Sequence, residues 1–370
     1  MARKKSASSK SRFSTMIWIV ISFLTGGGLG GQLNLNWKDV STNIQNLKSR
    51  ASERVANSDI VSSAKEKGGG KLFSTLRNRQ STPNNRYTTR TVSRQRPQDK
   101  LLIATFNIQV FGESKLGKPE VVDVLAQVVR HFDIVAIQEV RAKSDDILPR
   151  FISAINADGS RYSYLIGPRL GRSVSTEQYA FVYDTTRVEH DPASVGTVQD
   201  PDDLLHREPM VARFRPRTNA PDNAFSFWLV NTHTDPDEVG QEVDALADVF
   251  QAMQGASPYE DDVILLGDLN ANEKQLGRLG QLPGISYVVR NAMTNTRQNK
   301  AYDNIIFDGP ATSEYTGRWG VVDIERVFGL TRDQALKVSD HLPVWAEFQI
   351  WEAPAQRRFT DNSQGYRRSR

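Results

Sequence analysis

Between Leu101 and Ile350 short apolar runs recur, and each borders a polar residue able to hold a metal or move a proton. Leu101 to Phe106 closes on Asn107, Asp133 to Gln138 on Glu139, and Phe225 to Asn231 leads to His233. Val263 to Leu266 runs into Gly267-Asp268-Leu269-Asn270, and Tyr302 to Phe307 carries Asp303. Val344 to Ile350 follows Ser339-Asp340-His341-Leu342-Pro343. Runs this short read as buried strands. Strand ends along one sheet edge converge, so these groups can share one rim. Tyr162 to Ile166, Gln178 to Tyr183 and Met210 to Phe214 read as further strands. Helical spacing appears in Pro119 to Phe132, Asp145 to Ile155 and Val239 to Met253. Strands outnumber helices, and several arrive as hairpin-length neighbours. The pattern predicts an α/β fold of two packed sheets with helices outside, not a single parallel sheet.

The polar set consists of hard oxygen ligands and two imidazoles. The chain has no cysteine, which excludes disulfides and thiolate chemistry. Oxygen ligands suit Mg²⁺, Mn²⁺ or Ca²⁺. Phosphodiester hydrolysis needs a deprotonated water, a protonated leaving oxygen and neutralised phosphate charge. Two imidazoles, each oriented by a carboxylate, can do the first two tasks, and a metal with an arginine the third. Each residue alone has a plainer reading. Asn107 and Asp268-x-Asn270 are ordinary turn residues, Glu139 a surface acid, Asp303 an edge charge. Their repetition at strand ends carries the argument.

Charge divides the chain. Residues 1–100 hold 19 Lys and Arg against 5 Asp and Glu, a net of +14. Residues 101–350 hold 23 against 36, a net of −13, and residues 351–370 hold 5 against 2, a net of +3. Residues 1–12 form a basic flank with Arg3, Lys4, Lys5, Lys10 and Arg12. Residues 13–33 are an apolar then glycine-rich segment, near the roughly 20 residues a membrane helix needs. The layout predicts a membrane anchor or signal segment that sends the remainder out of the cytoplasm, or a secreted protein if the segment is cleaved. Residues 34–100, including Arg77, Arg79, Arg86, Arg90, Arg94 and Arg96, read as a basic, disordered linker. It is either an electrostatic arm for a polyanion or a solvated tether. Residues 101–350 form the catalytic domain, and residues 351–370 a basic, disordered tail.

The segments Thr105-Phe106-Asn107, Ile137-Gln138-Glu139, Gly267-Asp268-Leu269-Asn270 and Ser339-Asp340-His341-Leu342-Pro343 resemble the endonuclease/exonuclease/phosphatase superfamily. Phe106 to Glu113, Gln138 to Arg141, Leu170-Gly171-Arg172, Arg207-Glu208-Pro209 and Ala301-Tyr302-Asp303 resemble its deoxyribonuclease I branch. The resemblance covers about Leu101 to Phe348. It implies a four-layered α-β-β-α sandwich with two mostly antiparallel sheets. It implies Glu177 orienting His233 and Asp303 orienting His341. Asn107, Glu139 and Asp340 would hold the metal, with Asp268 and Asn270 at the phosphate centre. Arg207 would bind the scissile phosphate, Arg141 would lie in the minor groove and Arg172 near the backbone. Gln109 and Ser175 stand where the branch has DNA-contacting side chains. Thr294 and Thr296, or Asp203 and Glu208, could serve structural Ca²⁺.

The resemblance implies a Mg²⁺- or Mn²⁺-dependent endonuclease acting on DNA with little sequence preference, leaving 5′-phosphate and 3′-hydroxyl ends. We expect a monomer without a protein partner. A related hydrolase acting on a phospholipid or inositol phosphate is the alternative. A non-catalytic, tethered nucleic-acid-binding protein is a third, which the two intact His–carboxylate pairs oppose.

Overall fold

A computed structural model describes residues 96–172, 176–258 and 260–353. The basic flank, the apolar segment, the linker up to residue 95, Ser175 and residues 354–370 lie outside the described residues. Among the described residues no helix is long and apolar enough to cross a membrane.

Strands are numbered in chain order. The first sheet holds β1 (Lys100–Phe111), β2 (Ile134–Val140), β3 (Tyr162–Ile166), β4 (Gln178–Asp184), β12 (Tyr315–Val321) and β13 (Val344–Gln349). Its order is β12-β13-β1-β2-β4-β3. The second holds β5 (Val188–His190), β6 (Gly196–Thr197), β7 (Met210–Pro216), β8 (Phe227–His233), β9 (Val263–Asp268), β10 (Ile285–Tyr287) and β11 (Asp303–Asp308). Its order is β10-β11-β9-β8-β7-β5, with β6 on β7. Helices are α1 (Glu113–Leu116), α2 (Pro119–Val129), α3 (Ile147–Ile155), α4 (Val239–Gly255), α5 (Ile324–Phe328) and α6 (Arg332–Val338). Among the described strands only β1–β2 and β8–β9 pair in parallel. Parallel neighbours need a crossover, and α2 and α4 supply it.

Side chains alternate across each strand, which builds the layers. On β1, Leu102, Ala104 and Phe106 face α2 and α3, while Leu101 and Ile103 face the second sheet. On β9, Ile264 and Leu266 meet the first sheet, while Val263 and Leu265 pack under α4. The result is the α-β-β-α sandwich the motifs implied. One polar link crosses its apolar centre. Gln138 Nε2 donates to Asn231 Oδ1 at 2.6 Å and to Thr105 Oγ1 at 3.0 Å. Asn231 Nδ2 donates to Ile137 O and Ala180 O, both at 3.1 Å. A satisfied buried network of this kind fixes the offset of the two sheets.

Several boundaries differ from the sequence reading. β1 does not close at Asn107; it continues to Phe111 through a register shift. Arg96 is not part of a free arm. Its guanidinium donates to Asp133 at 2.6 Å and to Phe132 O at 2.9 Å, and it also pairs with Asp184. Asp133 is fully buried, so the pairing fastens the start of the body. Nor does the body end at Ile350: Trp351 bridges Ala224, and Ala353 N donates to Glu314 Oε1 at 2.6 Å. The strands β5, β6, β10 and β12 and the helices α1, α5 and α6 were not anticipated. They are short, or half-exposed and without an apolar period.

Candidate active site

Register brings three of the expected groups level. His233 ends β8 opposite Asp268 at the end of β9, and Asp303 opens β11 opposite the same Asp268. Gly267 permits the approach of β8 to β9, because a Cβ there would stand 1.8 Å from Thr232 O. His341 arrives from the loop between α6 and β13. That loop is held by Thr296 N donating to Asp340 O and Leu342 N donating to Thr294 O, each at 2.7 Å.

The two imidazoles are built alike. His233 Nδ1 lies 2.7 Å from Glu177 Oε1, and His341 Nδ1 lies 3.0 Å from Asp303 Oδ2. The other ring nitrogen of each faces Asp268 Oδ2, at 3.5 Å from His233 Nε2 and 3.4 Å from His341 Nε2. Burial works to lower both imidazoles. Glu177 and then Asp268 outweigh it at His233, whose pKa is raised. Asp303, Asp268 and Asp340 outweigh it at His341, whose pKa rises to about 10. Burial would raise Glu177, but His233, Arg207 and Arg141 hold it below the usual carboxylate range. Burial likewise pushes up Asp268, and His341 and His233 reverse the shift. Asn270 N donates to Asp268 Oδ1 at 3.0 Å, and Asn270 Nδ2 to Thr234 O at 2.9 Å.

A second group lies beside this one. Asn107 Nδ2 donates to Asp268 Oδ2 at 2.9 Å and to Glu139 Oε1 at 3.1 Å. Four non-glycine residues here have left-handed backbone: Gln109 (φ 34), Val110 (φ 52), Glu139 (φ 62) and Asn270 (φ 47). For a β-branched residue such as Val110 this is strained, and strain of this kind gathers at functional sites. The bulge is pinned by Gln109 N donating to Asn107 Oδ1 and Val110 N donating to Glu139 Oε2, each at 2.8 Å. Beneath it Lys115 Nζ donates to Ile108 O at 2.7 Å, Gln109 O at 2.6 Å and Val338 O at 2.8 Å. Burial lowers Lys115 to about 8, against the pull of Asp340 and Glu139.

At this rim two sets of donors could hold a divalent cation. Asp268, Asp303 and His341 lie close enough, but Asp303 already holds His341 Nδ1 at 3.0 Å and Asp268 faces its Nε2 at 3.4 Å, an arrangement that suits proton transfer. Asn107, Glu139 and Asp340 fit better. They offer only oxygen donors, and Asp340 Oδ1 is buried without a hydrogen-bond partner.

The arginines separate. Arg207 Nε lies 3.2 Å from Glu177 Oε1, and Arg141 Nη2 lies 3.1 Å from Glu177 Oε2, so both reach the imidazole site. Arg172 does not join them; Asp203 and Glu238 hold its guanidinium, each at 3.0 Å. Asp203 therefore already has a cation, and Glu208 is half-buried on the loop before β7. Thr294 Oγ1 donates to Asp303 Oδ2 and Thr296 Oγ1 to Ser339 O, each at 2.7 Å. These threonines hold Asp303 and the His341 loop directly. Sequence reasoning missed Lys115, hidden as one charge in a short helix. It also missed Tyr179, whose hydroxyl accepts from His233 N at 2.9 Å from inside an apolar run.

The Endonuclease/Exonuclease/phosphatase family matches residues 104–341. The chain belongs to this family. Deoxyribonuclease gamma of Mus musculus is 31% identical over 298 residues, covering 71% of this chain and 87% of the relative. Deoxyribonuclease-1-like 1 of Homo sapiens is 33% identical over 265 residues, covering 68% and 85%. Within the endonuclease/exonuclease/phosphatase family the chain thus falls in the deoxyribonuclease I branch. Among solved structures, that of humanized D. rerio TDP2 has a TM-score of 0.49 at 16% identity, covering 68% of this chain and 99% of that one.

Proposed function

We propose that the chain is a metal-dependent endonuclease that hydrolyses DNA phosphodiester bonds with little sequence preference, leaving 5′-phosphate and 3′-hydroxyl ends. The observation that carries this reading is the facing pair of imidazoles. Each is oriented by a buried carboxylate, and each aims Nε2 at Asp268 Oδ2, at 3.5 and 3.4 Å. The names of the relatives support DNA as substrate.

One imidazole takes the proton from the attacking water, and the other delivers one to the leaving oxygen. Glu177 and Asp303 hold the rings in place for both transfers. Asp268, steadied by Asn107 and Asn270, sits between them and orients the water. Asn107, Glu139 and Asp340 would hold Mg²⁺ or Mn²⁺. A cation held there would supply positive charge facing the phosphate oxygens. Arg207 and Arg141, beside Glu177, add positive charge on the substrate side. The full chain should nick supercoiled plasmid in Mg²⁺ and stop in EDTA. The new 5′ ends should accept label from a kinase only after phosphatase treatment. Intact plasmid, with phosphate released from an inositol phosphate or phospholipid headgroup, would overturn the reading in favour of the related hydrolase.

We further propose that residues 13–33 anchor the chain, as a monomer, with the catalytic domain outside the cytoplasm. The basic flank before an apolar run supports this. Protease added to intact cells or spheroplasts should remove the domain. A protected, soluble pool would rule the topology out.

A further inference from the structure

We propose that Asp262, Glu314 and Glu352 form a calcium site at the end of the sandwich opposite the imidazoles, clasping the two sheets together. One carboxylate oxygen from each lies within 4.8 Å of the others. Asp262 immediately precedes β9 of the second sheet, Glu314 immediately precedes β12 of the first, and Glu352 follows β13. β9 has six residues, so this foot lies about 20 Å from Asp268.

Two carboxylate oxygens in the cluster lack a hydrogen-bond partner. Asp262 is 2% exposed and Glu314 1%, yet Asp262 Oδ1 and Glu314 Oε2 accept no hydrogen bond. Buried carboxylate oxygens are rarely left so. Glu314 Oε1 is already fixed by Ala353 N at 2.6 Å, which turns Oε2 towards its neighbours. Glu260 adds a fourth carboxylate, held by Asp262 N at 3.2 Å and by the Ser226 hydroxyl. Among the described residues no Lys or Arg forms an ion pair with these four. Arg213, whose charge acts on Glu260, pairs with Asp191 at 2.7 Å.

This crowding needs positive charge from outside the chain. Burial, against the Thr312 hydroxyl beside it and helped by repulsion from Glu314, Glu352 and Glu260, pushes Asp262 up to about 9. Either protons or a cation can supply that charge, and the orphaned oxygens favour a cation. The donors are all oxygen, which selects a hard ion. Ca²⁺ takes about six to eight oxygens at about 2.4 Å in adaptable geometry, so carboxylates from separate segments can share it. Mg²⁺ would draw them closer and keeps most of its own water. An open groove lined by Asp222, Asn223, Trp351, Glu352 and Ala353 reaches the cluster at Glu352. The site is separate from the catalytic donors and does not rest on the proposed activity.

The test uses the full chain in saturating Mg²⁺, with Ca²⁺ itself as the probe. Calorimetric titration should give one more bound Ca²⁺ for wild type than for Glu314→Gln/Glu352→Gln. At Ca²⁺ a hundredfold above Kd, wild type should melt about 5–10 °C higher, and the double variant should not. In EDTA the order should change: the double variant, with two like charges removed, should melt no lower than wild type. Plasmid nicking in Mg²⁺ should be the same for both. Equal stoichiometry, or an equal Ca²⁺-dependent rise in Tm, would overturn the site. A wild type stabilised by acid but indifferent to Ca²⁺ would assign the cluster to shared protons instead. If the double variant does not fold, Glu352→Gln alone carries the same comparison, because Glu352 is exposed.

Discussion

Asp262 and Asp268 flank the same strand, both almost completely buried, and their charges respond in opposite ways. Burial pushes both upward. At Asp268 the imidazoles of His341 and His233 overcome it, and the pKa falls. At Asp262 the neighbours Glu314, Glu352 and Glu260 add to it, and the pKa rises to about 9. The rim and the foot of one sandwich thus differ in partners, not in depth. A buried carboxylate is an anion only where matched positive charge stands beside it. The rim supplies that charge from its own chain, whereas the foot has to take it from solution.

The strongest way to break this comparison is to remove the matched charge at the rim. His233→Ala and His341→Ala should each lower the plasmid-nicking rate by about 10²–10⁴-fold, with circular dichroism unchanged. The double variant should lose much less than the product of the two, because both rings serve one step. Near-wild-type turnover in either single variant would remove that ring from the chemistry.

The next effect separates rim from foot by stability. Lys115→Met leaves three buried carbonyls, Ile108 O, Gln109 O and Val338 O, without their donor. Unsatisfied groups of this kind cost about 1–3 kcal/mol each, less where the site relaxes, so we expect about 3 kcal/mol from the urea midpoint. Glu314→Gln at the foot, measured in EDTA, should lose nothing. Equal losses at both ends would mean that matching is irrelevant.

The rim was readable because its residues sit where apolar runs meet polar ones, and sheet register does the rest. Asn107, Glu139, His233, Asp268, Asp303 and His341 could be read this way; β8, β9 and β11 then level three of them. The reading failed where a role depends on a contact between distant segments. Arg96 looked like one more charge in a basic arm, and only the fold puts Asp133 and Asp184 beneath it. Lys115 serves carbonyls from β1 and α6, which no local pattern records. The foot was invisible for the same reason: its acids come from three separate chain segments, one of them in what read as a tail.

A smaller effect tests the foot through pH. Asp262 and Glu352 have folded-state values raised to about 9 and about 7. Between the ordinary carboxylate range and those values, the folded chain holds protons that the unfolded chain has lost. Stability from this source is therefore full at acid pH and declines as pH rises through about 7 and then about 9. In EDTA the urea midpoint should fall from pH 5 to pH 9. Asp262→Asn should flatten that slope, and added Ca²⁺ should flatten it in wild type. The same slope in Asp262→Asn would place the titrating groups elsewhere.

The smallest effect comes from pairing without burial. Arg278 holds Asp248 with both guanidinium nitrogens, at 2.7 and 2.8 Å, so the geometry is as good as any at the rim. Yet the Arg278 side chain is 52% exposed and that of Asp248 30%, and water screens the pair. Exposed pairs contribute about 0–1 kcal/mol, because water solvates the separated charges nearly as well. Arg278→Ala should therefore shift the urea midpoint by about 0.5 kcal/mol or less, and the shift should shrink further in high salt. If it instead matched the loss in Lys115→Met, good geometry alone would explain the rim. A small, salt-sensitive shift leaves the stronger statement standing: matching decides the outcome only where burial has removed the water.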